Sequence, residues 1–186
     1  MSRRVVITGV GAVTPLGVGA RTLHERWTAG ACGIVDGEAP CADFDPKIAM
    51  TAKEARRADR FTQMAVAACA EAVAEAGWDT DGLPYDPERM GCVFGTGIGG
   101  IGTVESNHAA MIESGPQKVS PLAVPLMMGN AGAAALSMRL GLRGQVYGVV
   151  SACAAGAHAI GAAVRMIQVG DADAVVTGGS EAGLTP

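Results

Sequence analysis

 Aromatic residues are scarce: Phe, Trp and Tyr together make up only 4% of 186 residues. The chain holds three phenylalanines, two tryptophans and two tyrosines. A core so poor in rings has to be assembled from Ala, Val, Ile, Leu and Met, and 27 glycines imply backbones in close approach. Charge is thin as well, at 17%, and a net charge of −4 supplies no global basic field for nucleic acid. No run approaches the roughly 18 apolar residues of a membrane helix, and the apolar run near the N-terminus is too short for a signal peptide. No membrane association and a cytoplasmic location are therefore expected. The five cysteines (Cys32, Cys41, Cys69, Cys92 and Cys153) are scattered, odd in number and free of any CxxC pair. Neither a disulfide framework nor a metal site is suggested. The length suits one large domain or two small ones, without internal repeats.

What is present is a succession of short apolar runs and helical patterns. Buried strands are predicted at Val5–Thr8, Met90–Phe94, Gln145–Val150 and Ala174–Thr177. Helices are predicted over 21–29, 61–76, 103–114, 127–140 and from Ala157 to the stop at Gly170-Asp171. The helix over 127–140 is so rich in Gly and Ala that burial all round is expected. Residues 30–46, 79–89 and 115–125 read as turn-rich or polar loops. Long helical crossovers between apolar strands imply an α/β fold with a mainly parallel sheet and helices on both faces.

Three stretches invite a functional reading. Gly9-Val10-Gly11 after the first strand suggests a dinucleotide fingerprint, but Thr14 stands at the third glycine position and no acid follows a second strand. A glycine-lined tight turn is preferred. Gly95 to Gly102 lacks the Gly-Lys-Ser/Thr of a phosphate loop, which leaves a hinge or a wall along which a long apolar ligand passes, with Ile98 its bulky side chain. The charge cluster Lys53 to Arg60 is either a solvated face or a dock for an acidic partner, through Lys53, Arg56 and Arg57.

The most informative stretch is the joint after Val150. Every side chain in Ser151-Ala152-Cys153-Ala154-Ala155-Gly156 is small, and Cys153 falls at, or one turn before, a helix N-terminus. Free amides and the helix dipole there favour a thiolate. Small neighbours such as Ala152 would let a substrate approach the backbone. The alternative is a cysteine that only fills space. His158 lies five residues on, about 140° further round a helix, so it should not face the thiol. A packed or interface histidine is expected there.

Five blocks occur in order: RRVVITGVGAVTPLG, KEARRADRFTQMAVAA, FGTGIGGIGTVESNH, GPQKVSPLAVPLMMGNAGAAALSMRLGLRG and VVSACAAGAHAIGAAVRMIQVGDADAVVTGGSEAGLTP. Through them the chain resembles the N-terminal half of an elongating type II β-ketoacyl-acyl-carrier-protein synthase, of the thiolase-like superfamily. The resemblance implies that residues 1–186 form one thiolase-like half and that the C-terminal half is absent. It implies Cys153 as the acyl-accepting catalytic residue, with its own amide as one oxyanion donor. It implies Ile98 and Ala152 as substrate-binding positions, and Lys53, Arg56 and Arg57 as the carrier-protein dock. Acyl and malonyl thioesters of acyl-carrier protein are the implied partners in a decarboxylative condensation, in a homodimer and with no cofactor. Cysteine rather than glutamine at position 153 argues against non-condensing chain-length-factor relatives. The pathway, fatty acid or polyketide, stays open.

The departures are specific. The family's second half carries two active-site histidines, a lysine and the other oxyanion donor. The stretch from Ile34 to Lys53 is short, which suggests a missing edge strand. Faces that pack on the second half should be apolar and exposed. Two competing readings are a non-catalytic binding module, using 127–140 and the basic cluster, and a nicotinamide enzyme resting on GVGAV.

Overall fold

The computed structural model describes residues 3–78 and 82–185. The strand predicted at Val5–Thr8 is not formed, and Val6 and Ile7 are 62% and 80% exposed. The segment is tethered instead by helix carboxylates: Val10 N–H donates to Glu75 Oε2 at 2.6 Å and Ala12 N–H to Glu71 Oε2 at 3.0 Å. A strand needs a partner edge, and among the described residues none pairs with this segment. Gly9 and Gly11 sit against the carbonyls of Ala72 and Ala68, so the GVGAV stretch packs closely on a helix. A tight hairpin follows, β1 (Val13–Thr14) with β2 (Gly17–Val18), then α1 (Ala20–Thr28).

Residues 31–51 contain an isolated antiparallel bridge between Val35 and Glu38 and a 3-10 turn at Pro46–Ile48, but no named strand, in keeping with the shortened edge. The charge cluster is split. α2 (Ala52–Ala55) carries its own capping box, in which Thr51 and Glu54 satisfy each other's amides. Asp59 then caps α3 (Arg60–Glu75). The start of the polar loop expected over 79–89 lies outside the described residues.

β3 (Met90–Thr96) is buried along its whole length. α4 (Ile101–Ser114) and α5 (Ala123–Met127) follow the glycine loop. The helix predicted over 127–140 is broken at Met128, whose backbone is extended, so α6 covers Ala131–Leu140. Nor is α6 buried all round: Gly132, Ala133, Leu136 and Ser137 are buried, while Met138 is 77% exposed. Its small residues form one packing face. β4 (Val146–Val150), α7 (Ala155–Val169) and β5 (Ala174–Gly179) complete the order. At the end of α7, Gly170 adopts φ 88°, a left-handed cap that a side chain would strain.

The main sheet has the order β4-β3-β5, all parallel, with Cys92 opposite Val146 and Val176. Alternation along β3 sends its side chains to two cores. Met90, Cys92 and Phe94 meet Ala65, Val66 and Cys69 of α3 and Ala133 and Leu136 of α6. Val93 faces Ala159 and Met166 of α7. β4, expected to be buried, lies at the sheet edge among the described residues, and Val150 is 61% exposed. The stretch 152–169 is long and apolar enough by composition to cross a bilayer, but here α7 buries Ala155, Ala159, Ala163 and Met166 against the sheet. Several large apolar side chains are exposed, among them Trp27, Ile112, Val124 and Met138.

Asp173, just before β5, accepts from Arg89 Nε at 2.5 Å and from Arg3 Nη1 at 2.7 Å, tying the N-terminal segment to the starts of β3 and β5. The hydrogen bonds from Arg89, and then from Arg3, hold its carboxyl well below the usual carboxylate range. A carboxyl lowered in the folded state stabilises above its unfolded pKa of about 3.9, and that contribution is lost as pH falls toward the folded value. The thermal midpoint of the wild type should therefore fall more steeply than that of Asp173→Asn as pH drops below about 4. Parallel acid profiles in a thermal melt would show that the cluster is not coupled to stability.

Candidate active site

The joint between β4 and α7 is sharply bent. Ser151 has φ −149° and ψ 46°, and Ala152 has φ +52°, a left-handed conformation unusual for a residue with a side chain. Such a conformation costs about 1–3 kcal/mol and persists where surrounding packing imposes it. Ala152–Ala154 then makes one 3-10 turn before α7. Cys153 lies on that turn and is exposed, directly ahead of a 15-residue helix whose N-terminus has no side-chain cap. The sequence-based placement of the thiol is thus reproduced. Desolvation pushes the buried thiols up, Cys69 to about 11 and Cys92 to about 12.

Close backbone approach holds the joint on the sheet. A Cβ on Gly95 would collide with the Ala155 backbone, and one on Gly179 would come within 2.8 Å of Gly156 Cα. Gly97, in the glycine loop, lies against the joint, where a Cβ would stand 3.6 Å from Ala152 Cα. The loop is held at both ends by carboxylates. Glu181 Oε2 accepts from Gly97 N–H at 2.6 Å, Ile98 N–H at 3.0 Å and Thr96 Oγ1 at 3.3 Å. Buried Asp59 Oδ2 accepts from Thr103 N–H at 3.0 Å and Thr103 Oγ1 at 2.6 Å. Ile98 itself is 60% exposed.

Ala152, Cys153 and the Ile98 loop thus come together at the ends of β3 and β4. Lys53, Arg56 and Arg57 are exposed on and just after α2, and none enters an ion pair among the described residues. His158 is exposed rather than packed, with Nδ1 2.7 Å from Ser151 Oγ. No hydrogen bond joins a histidine to Cys153 among the described residues. Sequence reasoning missed Glu181 and Asp59 as anchors. The only signal for Glu181 was its place after two glycines at a strand end, and Asp59 read as one charge in a cluster.

The description "Beta-ketoacyl synthase, N-terminal domain" belongs to the family whose sequence pattern matches residues 35–186. The chain is 39% identical over 196 aligned positions to 3-oxoacyl-[acyl-carrier-protein] synthase 2 of Staphylococcus aureus (strain N315), covering 99% of this chain and 47% of the relative. Identity to the synthase 2 of Vibrio cholerae is also 39%, with the same coverage. The chain spans about half the length of these curated relatives. Among solved structures, a ketosynthase bound to its type II polyketide acyl-carrier protein (AntDE:AntF) superposes with a TM-score of 0.88 at 27% identity, over 99% of this chain and 52% of that one. A beta-ketoacyl synthase from Burkholderia phymatum STM815 gives 0.74 at 28% identity, over 92% and 45%. The α/β fold is the thiolase-like one of these ketosynthases, and the chain belongs to the beta-ketoacyl synthase family, whose N-terminal domain it carries.

Proposed function

We propose that this chain is the acyl-accepting half of a 3-oxoacyl-[acyl-carrier-protein] synthase of the elongating kind. The observation that carries the reading is the exposed Cys153 thiol on a strained turn at an uncapped helix N-terminus. In the first step the Cys153 thiolate attacks the carbonyl carbon of an acyl thioester. The oxyanion forms beside the Cys153 amide, one donor of the hole. The carrier thiol leaves, and the acyl group remains on Sγ. Condensation follows when malonyl-carrier protein loses carbon dioxide and its carbanion attacks this new thioester. The histidines and second oxyanion donor that the family resemblance assigns to a second half supply that later step, so 1–186 alone should accept an acyl group without releasing 3-oxoacyl product.

Lys53, Arg56 and Arg57 are proposed to receive the acidic carrier protein. Their exposure and freedom from the observed ion pairs support this. Reversing all three to glutamate should slow acylation by acyl-carrier protein by about tenfold or more, while a small-molecule acyl thioester, which needs no dock, reacts at an unchanged rate. Equal rates from carrier protein in both forms would remove the dock. The similarity to a polyketide ketosynthase favours a second reading, in which the acyl chain is a polyketide. Comparing saturated acyl and polyketide-like thioesters in the same assay separates the two. A homodimer joined along the exposed edge of β4, in the cytosol, completes the proposal.

A further inference from the structure

We infer that Glu181 is a positioning residue that sets which acyl lengths reach Cys153, by fixing the Ile98 loop at the mouth of the site; this rests on the acyl-transfer reading above. Glu181 follows β5, yet one of its oxygens gathers three donors from the end of β3 and the loop beyond: Thr96 Oγ1, Gly97 N–H and Ile98 N–H. Its other oxygen accepts from Ala182 N–H at 3.2 Å, which orients the carboxylate. Thr96 Oγ1 in turn accepts from Gly99 N–H at 3.1 Å, so the anchoring extends across the loop.

A glycine-rich loop has little side-chain packing of its own to define its path. Here two consecutive amides are instead held by one anion, and charge-assisted bonds of this kind are the stronger ones. The loop's far end is fixed separately by Asp59 through Thr103. Between the anchors, Gly97 lies against Ala152 and the Ile98 side chain projects into the open. The position of the one bulky side chain in the loop therefore depends on a carboxylate that does not touch the thiol. Loss of that carboxylate frees Gly97 and Ile98 while leaving Cys153, its turn and α7 in place.

The test uses the 186-residue chain, with short and long N-alkyl iodoacetamides as probes and mass spectrometry of the Cys153 peptide as readout, so that exposed Cys32 does not interfere. In the wild type, labelling rates should differ between the short and long probes. Glu181→Ala should change that ratio by about fivefold or more, leave the short-probe rate within about twofold, and speed amide exchange at Gly97 and Ile98 by about tenfold. Glu181→Gln, which keeps an acceptor oxygen, should recover most of the wild-type ratio. A ratio unchanged in a folded Glu181→Ala, alongside a discriminating wild type, overturns the role of Glu181 alone. A wild type that does not discriminate by length overturns both this inference and the acyl-site reading beneath it.

Discussion

Cys153→Ala is expected to abolish acyl transfer to the chain, by a factor on the order of a thousand or more, the scale on which loss of a nucleophile registers. Burial decides against the internal thiols. Cys69 and Cys92 hold their protons to about 11 and about 12, and desolvation also raises Cys41. A protonated, enclosed thiol neither attacks nor admits a thioester. Of the two exposed cysteines, Cys32 lies in the irregular stretch after α1, whereas Cys153 precedes a 15-residue helix and borders the Ile98 loop through Ala152. Intact-mass measurement after incubation with an acyl-carrier-protein thioester is the check. Undiminished acylation of Cys153→Ala would place the acceptor elsewhere.

Gly95→Ala should be the most damaging of the single-methyl additions at the joint between the sheet and α7. The added carbon would meet the carbonyl of Ala155 and stand 2.8 Å from Gly156 N, and these are backbone atoms of the first turn of α7. Side chains can rotate away from a clash, but a helix backbone has to move as a body. Overpacking costs about 1–3 kcal/mol, and the rigid neighbour places this case at the upper end. For a chain of this size the thermal midpoint should fall by roughly 6 °C or more. Gly161→Ala is the control on the same helix: nothing lies within 4 Å of the added carbon, so the better helix former should stabilise by about 0.5–1 kcal/mol. A Gly95→Ala protein as stable as the wild type would mean that α7 does not rest on β3 as closely as described.

Legibility followed the range of the forces involved. β3, β5 and α3 lie within two residues of their predicted bounds, because local periodicity and caps such as Asp59 determine them. The Val5–Thr8 strand failed because an apolar run becomes a strand only beside a free edge, and among the described residues no strand pairs with it. The break at Met128 was hidden inside a run of small residues, where Gly and Ala suit a close-packed turn as well as a helix. At the site, Cys153 was legible because its strand, turn and helix are contiguous. Glu181 was not, since its bond to Gly97 spans a separation that only the parallel sheet brings together.

The placement of β3 at the centre of the sheet also sets a kinetic condition. Synthesis completes this strand at Thr96, but its two partners begin at Val146 and Ala174. Both edges of this fully buried strand therefore wait, unpaired, until β4 and β5 have been made. Pairing across such separations is slow, and open edges are where stray association starts. β5 is the later of the two partners to be made, so pairing on both edges of β3 has to wait for synthesis past Asp173.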